Sequence, residues 1–508
     1  MKGGEFYMFN FDSEAARLNH IIRENAKTVL SDERIVELEI QRFKISQRRK
    51  EMFDGEKYFR GKHDILDRKR TVIGEKGELE EVKNLPNNRI VDNQYKKMVN
   101  QKTNYLLGQP IVFRTDNVLY GKCLKQIFNK QFMRLIKNMG KDTLNCGLGW
   151  LFVYYNEHGE FTFQKFKPYE IIPLWSDAEH TTLDGAIRLY EVLYYEGETE
   201  RLMEKVEVYD DAGIHYFVLE NGKLIPDAPF FHTYMTLTDS EGNEQNLNWT
   251  KIPLIPFKYN AEEIPLIKNV KSLQDGLNLI ESNFQNAMEE DTRNTILVLV
   301  NYDGQNLGEF RKNLAQFGAV KVKTVDGAGG DLKTLQVEVN SDNYKAILEI
   351  FKKAIIENAM GYDAKDDRLS GNPNQMNIQS MYSDIDLDAN DMETEFQASF
   401  EQLLWFVNCH LANNGFGDFE NEEVEIIFNR DILINETEAI DNVSKSVDLS
   451  EETRIANHPW VDDVQVEMER KKKEQEAAMA SDYGGAFNPT PSKTPDDQDD
   501  DKIEGEEE

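Results

Sequence analysis

The feature that most restricts the fold is one long helical pattern over residues 377–413. Met381, Ile385, Met392, Phe396, Phe400, Leu403, Val407 and Leu411 form a single apolar stripe along it. At 1.5 Å per residue the helix is roughly 55 Å long, a length that suits an element passing through the centre of an assembly. A polar stretch at residues 362–376 precedes it. Its length of about 15 residues exceeds the usual 2–8 of a helix–helix connection, which argues for a function rather than a simple join. Before that, residues 341–360 read as a helix with Tyr344, Ile347, Leu348, Phe351 and Ile355 on one side, ended by Gly361.

Upstream of this pair the pattern alternates between helix and strand. Residues 14–60 and 90–107 read as helices, and Gly108-Gln109-Pro110 stops the second. A third helix is expected over residues 118–146. Residues 149–257 switch to short aromatic alternations such as Trp150, Phe152 and Tyr154, so this region is β-rich. Val270, Leu273, Leu277, Ile280, Phe284 and Met288 then mark an amphipathic helix. A module of about 50 residues follows, too small to be self-supporting. It is expected to contain strands at residues 295–300, 319–325 and 332–339 and a helix at 307–317. Beyond the long helix come a β-run at 424–429, a connecting element at 435–446 and two charged helices over 449–480, broken at Asn457-His458-Pro459. Residues 481–508 are acidic and carry too little apolar surface to offset the entropy of ordering, so disorder is expected there. The fold class is α+β, mostly helical.

Charge narrows the function. The 508 residues carry 59 Lys and Arg against 92 Asp and Glu, a formal net charge of −33. This disfavours a broad basic surface that grips nucleic acid, because phosphate binding is driven by counterion displacement, and it disfavours attachment to anionic membranes. Cys123, Cys146 and Cys409 are too few and scattered for a disulfide framework or a zinc site. Met1 to Asn10 lacks a signal-peptide core, and no apolar run reaches bilayer length. No Walker A loop, metal-binding helix or nucleophile elbow is present. Gly327-Ala328-Gly329-Gly330 reads as a turn. Asp363, Asp366 and Asp367, in a loop with Lys365 and Arg368 interleaved, and Asp384, Asp386 and Asp388, at an i, i+2 spacing that splays carboxylates around a helix, read as solvated rather than metal-binding. No catalytic, cofactor or metal site is expected. A metal-dependent DNA-processing enzyme, or a structural protein without DNA contact, stands as the alternative function.

The stretch running from Asn87-Asn88-Arg89-Ile90-Val91-Asp92-Asn93-Gln94-Tyr95 to Leu107-Gly108-Gln109-Pro110 resembles a hallmark of the portal proteins of tailed bacteriophages, in particular those of long-tailed siphophages of Gram-positive bacteria. Phe53-Asp54-Gly55, His63-Asp64-Ile65-Leu66, Lys167-Pro168-Tyr169-Glu170, Ser450-Glu451-Glu452-Thr453 and His458-Pro459 agree in order. The resemblance spans residues 15–480. It implies an N-terminal region and wing at 1–268, a stem helix at 269–293, a clip at 294–340, a second stem helix at 341–361 and a tunnel loop at 362–376. A tunnel helix returning to the wing would follow at 377–435, then a crown at 436–480 and an acidic tail at 481–508. It further implies a homo-oligomeric ring of about twelve subunits around a central tunnel, with a repeated head-to-tail interface. The ring would sit at the portal vertex of the virion capsid and assemble in the host cytoplasm. The implied partners are the terminase large subunit, head-completion and adaptor proteins, the major capsid and scaffolding proteins, and double-stranded DNA in transit, with no membrane and no cofactor.

An acidic tunnel would keep DNA off the wall and mobile. Within it, Lys365 and Arg368 could touch phosphates, and Asn372, Asn374 and Gln375 could offer neutral, weaker hydrogen bonds. Gly361 and Gly371, near the ends of the loop, are candidate hinges.

Overall fold

The structure is a computed structural model. It describes residues 21–23, 29–73, 77–82, 85–238, 244–291, 296–300, 331–335, 341–365, 375–430, 436–461 and 463–484. The chain divides into two compact units, Met1–Asp366 with Ser380–Ile432, and Asp367–Gln379 with Leu433–Glu508.

In the first unit, the helix expected over residues 14–60 is divided into α1 (Glu33–Ile45) and α2 (Gln47–Phe59). Ser46 makes the break. Its backbone is extended, its Oγ donates to the Phe43 carbonyl, and the same Oγ accepts the Arg49 N–H. One serine thus closes one helix and caps the next. The helix expected over 118–146 is likewise two, α4 (Val118–Ile127) and α5 (Lys130–Cys146), after α3 (Gln94–Leu107). Asn117 and Asn129 each accept two amide hydrogens from the turn that follows.

After the hairpin of β1 (Thr71–Ile73) and β2 (Leu79–Glu81), the β-rich region holds three sheets among the described residues, the smallest being the pair β11 (Met235–Thr238) and β12 (Glu244–Leu247). Strands β6 (Ile171–Trp175), β7 (Leu183–Glu196), β8 (Thr199–Tyr209), β9 (Ile214–Glu220) and β10 (Lys223–His232) form an antiparallel sheet in order β10-β9-β8-β7-β6. Val36 and Ile40 of α1 pack on its inner face against Ile187, Leu189, Val206 and Val208. The period-2 alternation of β7 and β8 is what puts these residues on one side. The second sheet is β13-β4-β5, from β13 (Leu254–Lys258), β4 (Leu148–Tyr155) and β5 (Phe161–Phe166).

Helix α6 (Ile267–Asp291) leads to the strand pair β14 (Ile296–Val300) and β15 (Asp331–Leu335), and the chain returns along α7 (Ser341–Asn358). The expected helix at 307–317 and strand at 319–325 lie outside the described residues. The strand expected at 332–339 corresponds to β15, with 336–340 again outside. Phe284 of α6 meets Tyr344 of α7 at 4.7 Å between ring centroids.

Helix α8 (Gln375–Asn413) runs for 39 residues, about 58 Å. Its apolar stripe is as the sequence indicates, with Ile385, Phe396, Phe400, Leu403 and Val407 buried. Phe257 of β13 stands edge-on to both Phe396 and Phe400. Beyond α8, β16 (Glu425–Ile427) pairs antiparallel with β3 (Val112–Arg114).

In the second unit, α9 (Glu436–Lys445) is a helix where the sequence indicated only a connection. Helix α10 (Glu451–Ala456), capped by Ser450, is tied to α11 (Val464–Gly484) by a Lys471–Glu451 ion pair. The break between them falls around Asn457-His458-Pro459, as expected. Residues 485–508 lie outside the described residues.

Candidate functional site: the anchored base of the polar loop

The polar loop between α7 and α8 starts and ends on α3. On the entry side Met360 takes a left-handed backbone, φ +50°, and its carbonyl accepts from Lys102 Nζ at 3.2 Å. Gln101 then grips Tyr362 twice: its Nε2 donates to the Tyr362 carbonyl at 2.8 Å, and its Oε1 accepts the Tyr362 N–H at 3.2 Å. On the exit side Tyr382 of α8 lies 4.5 Å from the Tyr362 ring and 5.6 Å from the Tyr105 ring, centroid to centroid. The entry to the loop and the second turn of α8 beyond it therefore meet through Tyr362 and Tyr382, on the face of α3 that carries Gln101, Lys102 and Tyr105. α3 is the body of the hallmark segment quoted above.

Two of the three aspartates read as a solvated row on α8 are in fact engaged, which corrects that expectation. Asp388 pairs with Lys102 at 2.6 Å, the two side chains 11% and 2% exposed, and it also accepts from the Tyr259 hydroxyl. Asp386 accepts from Tyr105 and pairs with Arg430 at 2.8 Å, while the other arm of Arg430 reaches Glu393. Period 3.6 turns these two carboxylates to different sides, and each side meets a cation brought from elsewhere in the chain. Burial pulls the Lys102 ammonium below its ordinary pKa, with Asp388 pulling the other way. Burial first, then Asp388, holds the Tyr259 hydroxyl well above its usual range.

The N-terminal part of the hallmark is held by a different device. Gln274, Asn278, Ser282 and Asn286 of α6 are all buried and polar. Tyr95 N–H donates to Gln274 Oε1 at 3.0 Å, Asp92 N–H to Asn278 Oδ1 at 3.1 Å, Ile90 N–H to Ser282 Oγ at 3.0 Å and Asn88 N–H to Asn286 Oδ1 at 2.8 Å. Four residues of helix rise about 6 Å and two residues of extended chain about 6.6 Å, so the rungs at Asn88, Ile90 and Asp92 stay in step, and the last, Tyr95, lies three residues on in the first turn of α3. The sequence reading found the apolar stripe of α6 and missed this one. Four uncharged polar residues at i, i+4 spacing were the available signal, but the same pattern also describes a wet helix face.

The candidate residues fall as follows. Gly361 is buried at the loop base, and a Cβ there would come within 2.8 Å of Met98 Sδ and 2.9 Å of Gln101 Oε1. Lys365 is exposed, and its N–H donates to Asp363 Oδ1 at 3.0 Å. Gln375 is the first residue of α8. Arg368, Gly371, Asn372 and Asn374 lie outside the described residues. Among the described residues no group of three or more His, Cys, Asp or Glu is placed to hold a metal ion, and no helix is long and apolar enough to cross a membrane.

A helix pair leading into and out of a small strand pair, a loop flanked by Tyr362 and Tyr382 and a helix of 39 residues place the chain in the class of mixed helix-and-sheet proteins in which long helices dominate. The chain belongs to a known family of that class: the model for phage portal protein, SPP1 Gp6-like, matches residues 44–481. The portal protein of Bacillus phage SPP1 is 28% identical over 90% of this chain and 89% of its own length. The portal protein of Clostridium phage phiCD119 is 28% identical over 87% of this chain and 96% of its own. Among solved structures, a chain from the neck of a native GTA particle, computed with C12 symmetry, aligns with TM-score 0.36 and 11% identity over 71% of this chain and 88% of that one.

Proposed function

We propose that this protein is the subunit of a portal ring at one capsid vertex, and that double-stranded DNA enters and later leaves the head through its central tunnel. The observation that carries this reading is the portal-family match over residues 44–481, which runs from α2 into α11. In this reading α6 and α7 are the stem, residues 294–340 the clip, residues 362–376 the tunnel loop, α8 the tunnel helix and residues 436–480 the crown, with the wing before residue 268. A ring of about twelve copies, docked on its clip side by the terminase large subunit and afterwards by adaptor proteins, and seated among capsid and scaffolding proteins, completes it.

The loop base supports a specific division of labour. Because Tyr362 and Tyr382 hold the ends of the loop together on α3, movement would be confined to the residues between them. Lys365, Arg368, Asn372, Asn374 and Gln375 would then face the DNA as a short contact set on a fixed mount. A tunnel whose other surfaces are acidic repels phosphate, so these contacts brace or gate the duplex without trapping it. The proposed role is mechanical, with no bond-making step. Electron microscopy of the purified protein tests the reading. Rings with a central hole wide enough to pass duplex DNA are expected. Monomers that cleave DNA in a metal-dependent way would overturn it.

A further inference from the structure

Residues 117–141 run against the charge of the whole chain. They carry Lys122, Lys125, Lys130, Arg134, Lys137 and Lys141 and no Asp or Glu, in a protein of net charge −33. Lys130, Arg134, Lys137 and Lys141 stand at i, i+4, i+7 and i+11 on α5, so they fall within about 60° of one another around the helix and span about 17 Å along it. Among the described residues none of the four takes part in an ion pair, although Asp and Glu elsewhere in the unit pair freely with Lys and Arg. Arg134 and Lys137 also rim a groove of about 210 Å³ between α5 and the turn that ends α3. Its lining includes Leu107, Pro110, Ile111, Met133 and Ile136.

We propose that this groove and the basic stripe beside it are a docking site for an extended acidic segment of a partner protein, with one apolar side chain seated on the groove floor and carboxylates along Lys130, Arg134, Lys137 and Lys141. Two observations select that occupant over nucleic acid. Phosphates need cations but no apolar floor, whereas this groove is floored by aliphatic side chains. A duplex would also carry many phosphates beyond the stripe toward a protein of net charge −33, while a short extended strand meets only the stripe. An extended segment rises about 3.3 Å per residue, so five or six residues span the four cations.

The test is fluorescence anisotropy on the full-length protein. The probe is a labelled peptide of glutamates around one central leucine. Binding is expected, weakening as salt is raised. R134E/K137E should weaken it by roughly tenfold, the scale of two surface charge pairs lost and reversed. Replacing the probe's leucine by serine should weaken it by a similar factor, from the lost burial of one aliphatic side chain. R134Q/K137Q, which only neutralises the rim, should give an intermediate loss and serves if the reversal variant misfolds. Equal peptide binding by the wild type and both variants would overturn the proposal. So would labelled duplex DNA that binds more tightly than the peptide and is lost in R134E/K137E. Self-association of the wild type that the same variant abolishes, without peptide binding, would assign the groove to a second copy and likewise overturn it.

Discussion

Replacing Asp388 by Asn tests whether the buried pair fixes the loop base. In the folded protein the Lys102 ammonium has two close oxygen partners, Asp388 at 2.6 Å and the Met360 carbonyl at 3.2 Å, and its side chain is 2% exposed. With Asn at 388 the Tyr259 hydroxyl keeps an acceptor, but the ammonium keeps only a neutral neighbourhood. Breaking a buried pair this way costs about 3–5 kcal/mol, and the surviving amide contact places this case near about 3 kcal/mol. Lys102→Met with Asp388→Leu removes both charges but takes their partners from the Tyr259 hydroxyl and the Met360 carbonyl, about 1–3 kcal/mol for each. The double variant should therefore be less damaged than the sum of its single variants by at least about 2 kcal/mol. Urea unfolding followed by tryptophan fluorescence measures the global cost. Native-state trypsin cleavage after Lys365 and Arg368 measures the local one, and it should accelerate in Asp388→Asn because the Met360 carbonyl loses a fixed donor. A loss below about 1 kcal/mol for Asp388→Asn, or additive single variants, would refute the claim that this pair holds the base.

Glu263 supplies a pH test. Burial raises its pKa, but Arg48, His180 and Lys258 together bring it from an ordinary 4.5 down to about 2. A depressed carboxylate stabilises the folded state above pH 4.5 and loses that contribution as pH falls toward 2, about 3 kcal/mol in all. Urea midpoints from pH 6 to pH 3 should fall less steeply in Glu263→Gln than in the wild type. Asn278→Leu takes their partners from the Asp92 N–H and His63 Nδ1, leaves the Gln274 amide only its bond to the Asp92 carbonyl, and should cost about 3 kcal/mol. Leu279→Asn, one residue on but 42% exposed, should change the unfolding midpoint by less than about 0.5 kcal/mol. Gly361→Ala would force Gln101 off its paired bonds to Tyr362, for about 1–2 kcal/mol and faster loop cleavage. Gly371→Pro should lower DNA packaging by mutant procapsids whose rings look intact by microscopy, and unchanged packaging would count against a gating loop.

The sequence by itself determined the periodic elements. The stripe from Met381 to Leu411 wrote out α8, the Val270–Met288 stripe wrote out α6, and the switch to aromatic alternation at Trp150 marked the β-rich region, because a helix or strand with one apolar face shows its period directly. Local sequence also held the breaks at Ser46 and Asn129, though their caps are side-chain bonds that compete with an apolar pattern running through them. The quoted hallmark motif was enough to suggest the family. Tertiary structure alone decided which polar residues are buried. Gln274, Asn278, Ser282 and Asn286 look like a wet face until residues 88–95, the lead into α3 and its first turn, are laid along them. Asp386 and Asp388 look solvated until Arg430 and Lys102 arrive, from 44 and 286 residues away in the chain. A polar side chain's burial depends on whether a partner from a distant segment satisfies it. That partner leaves no periodic trace in the local sequence.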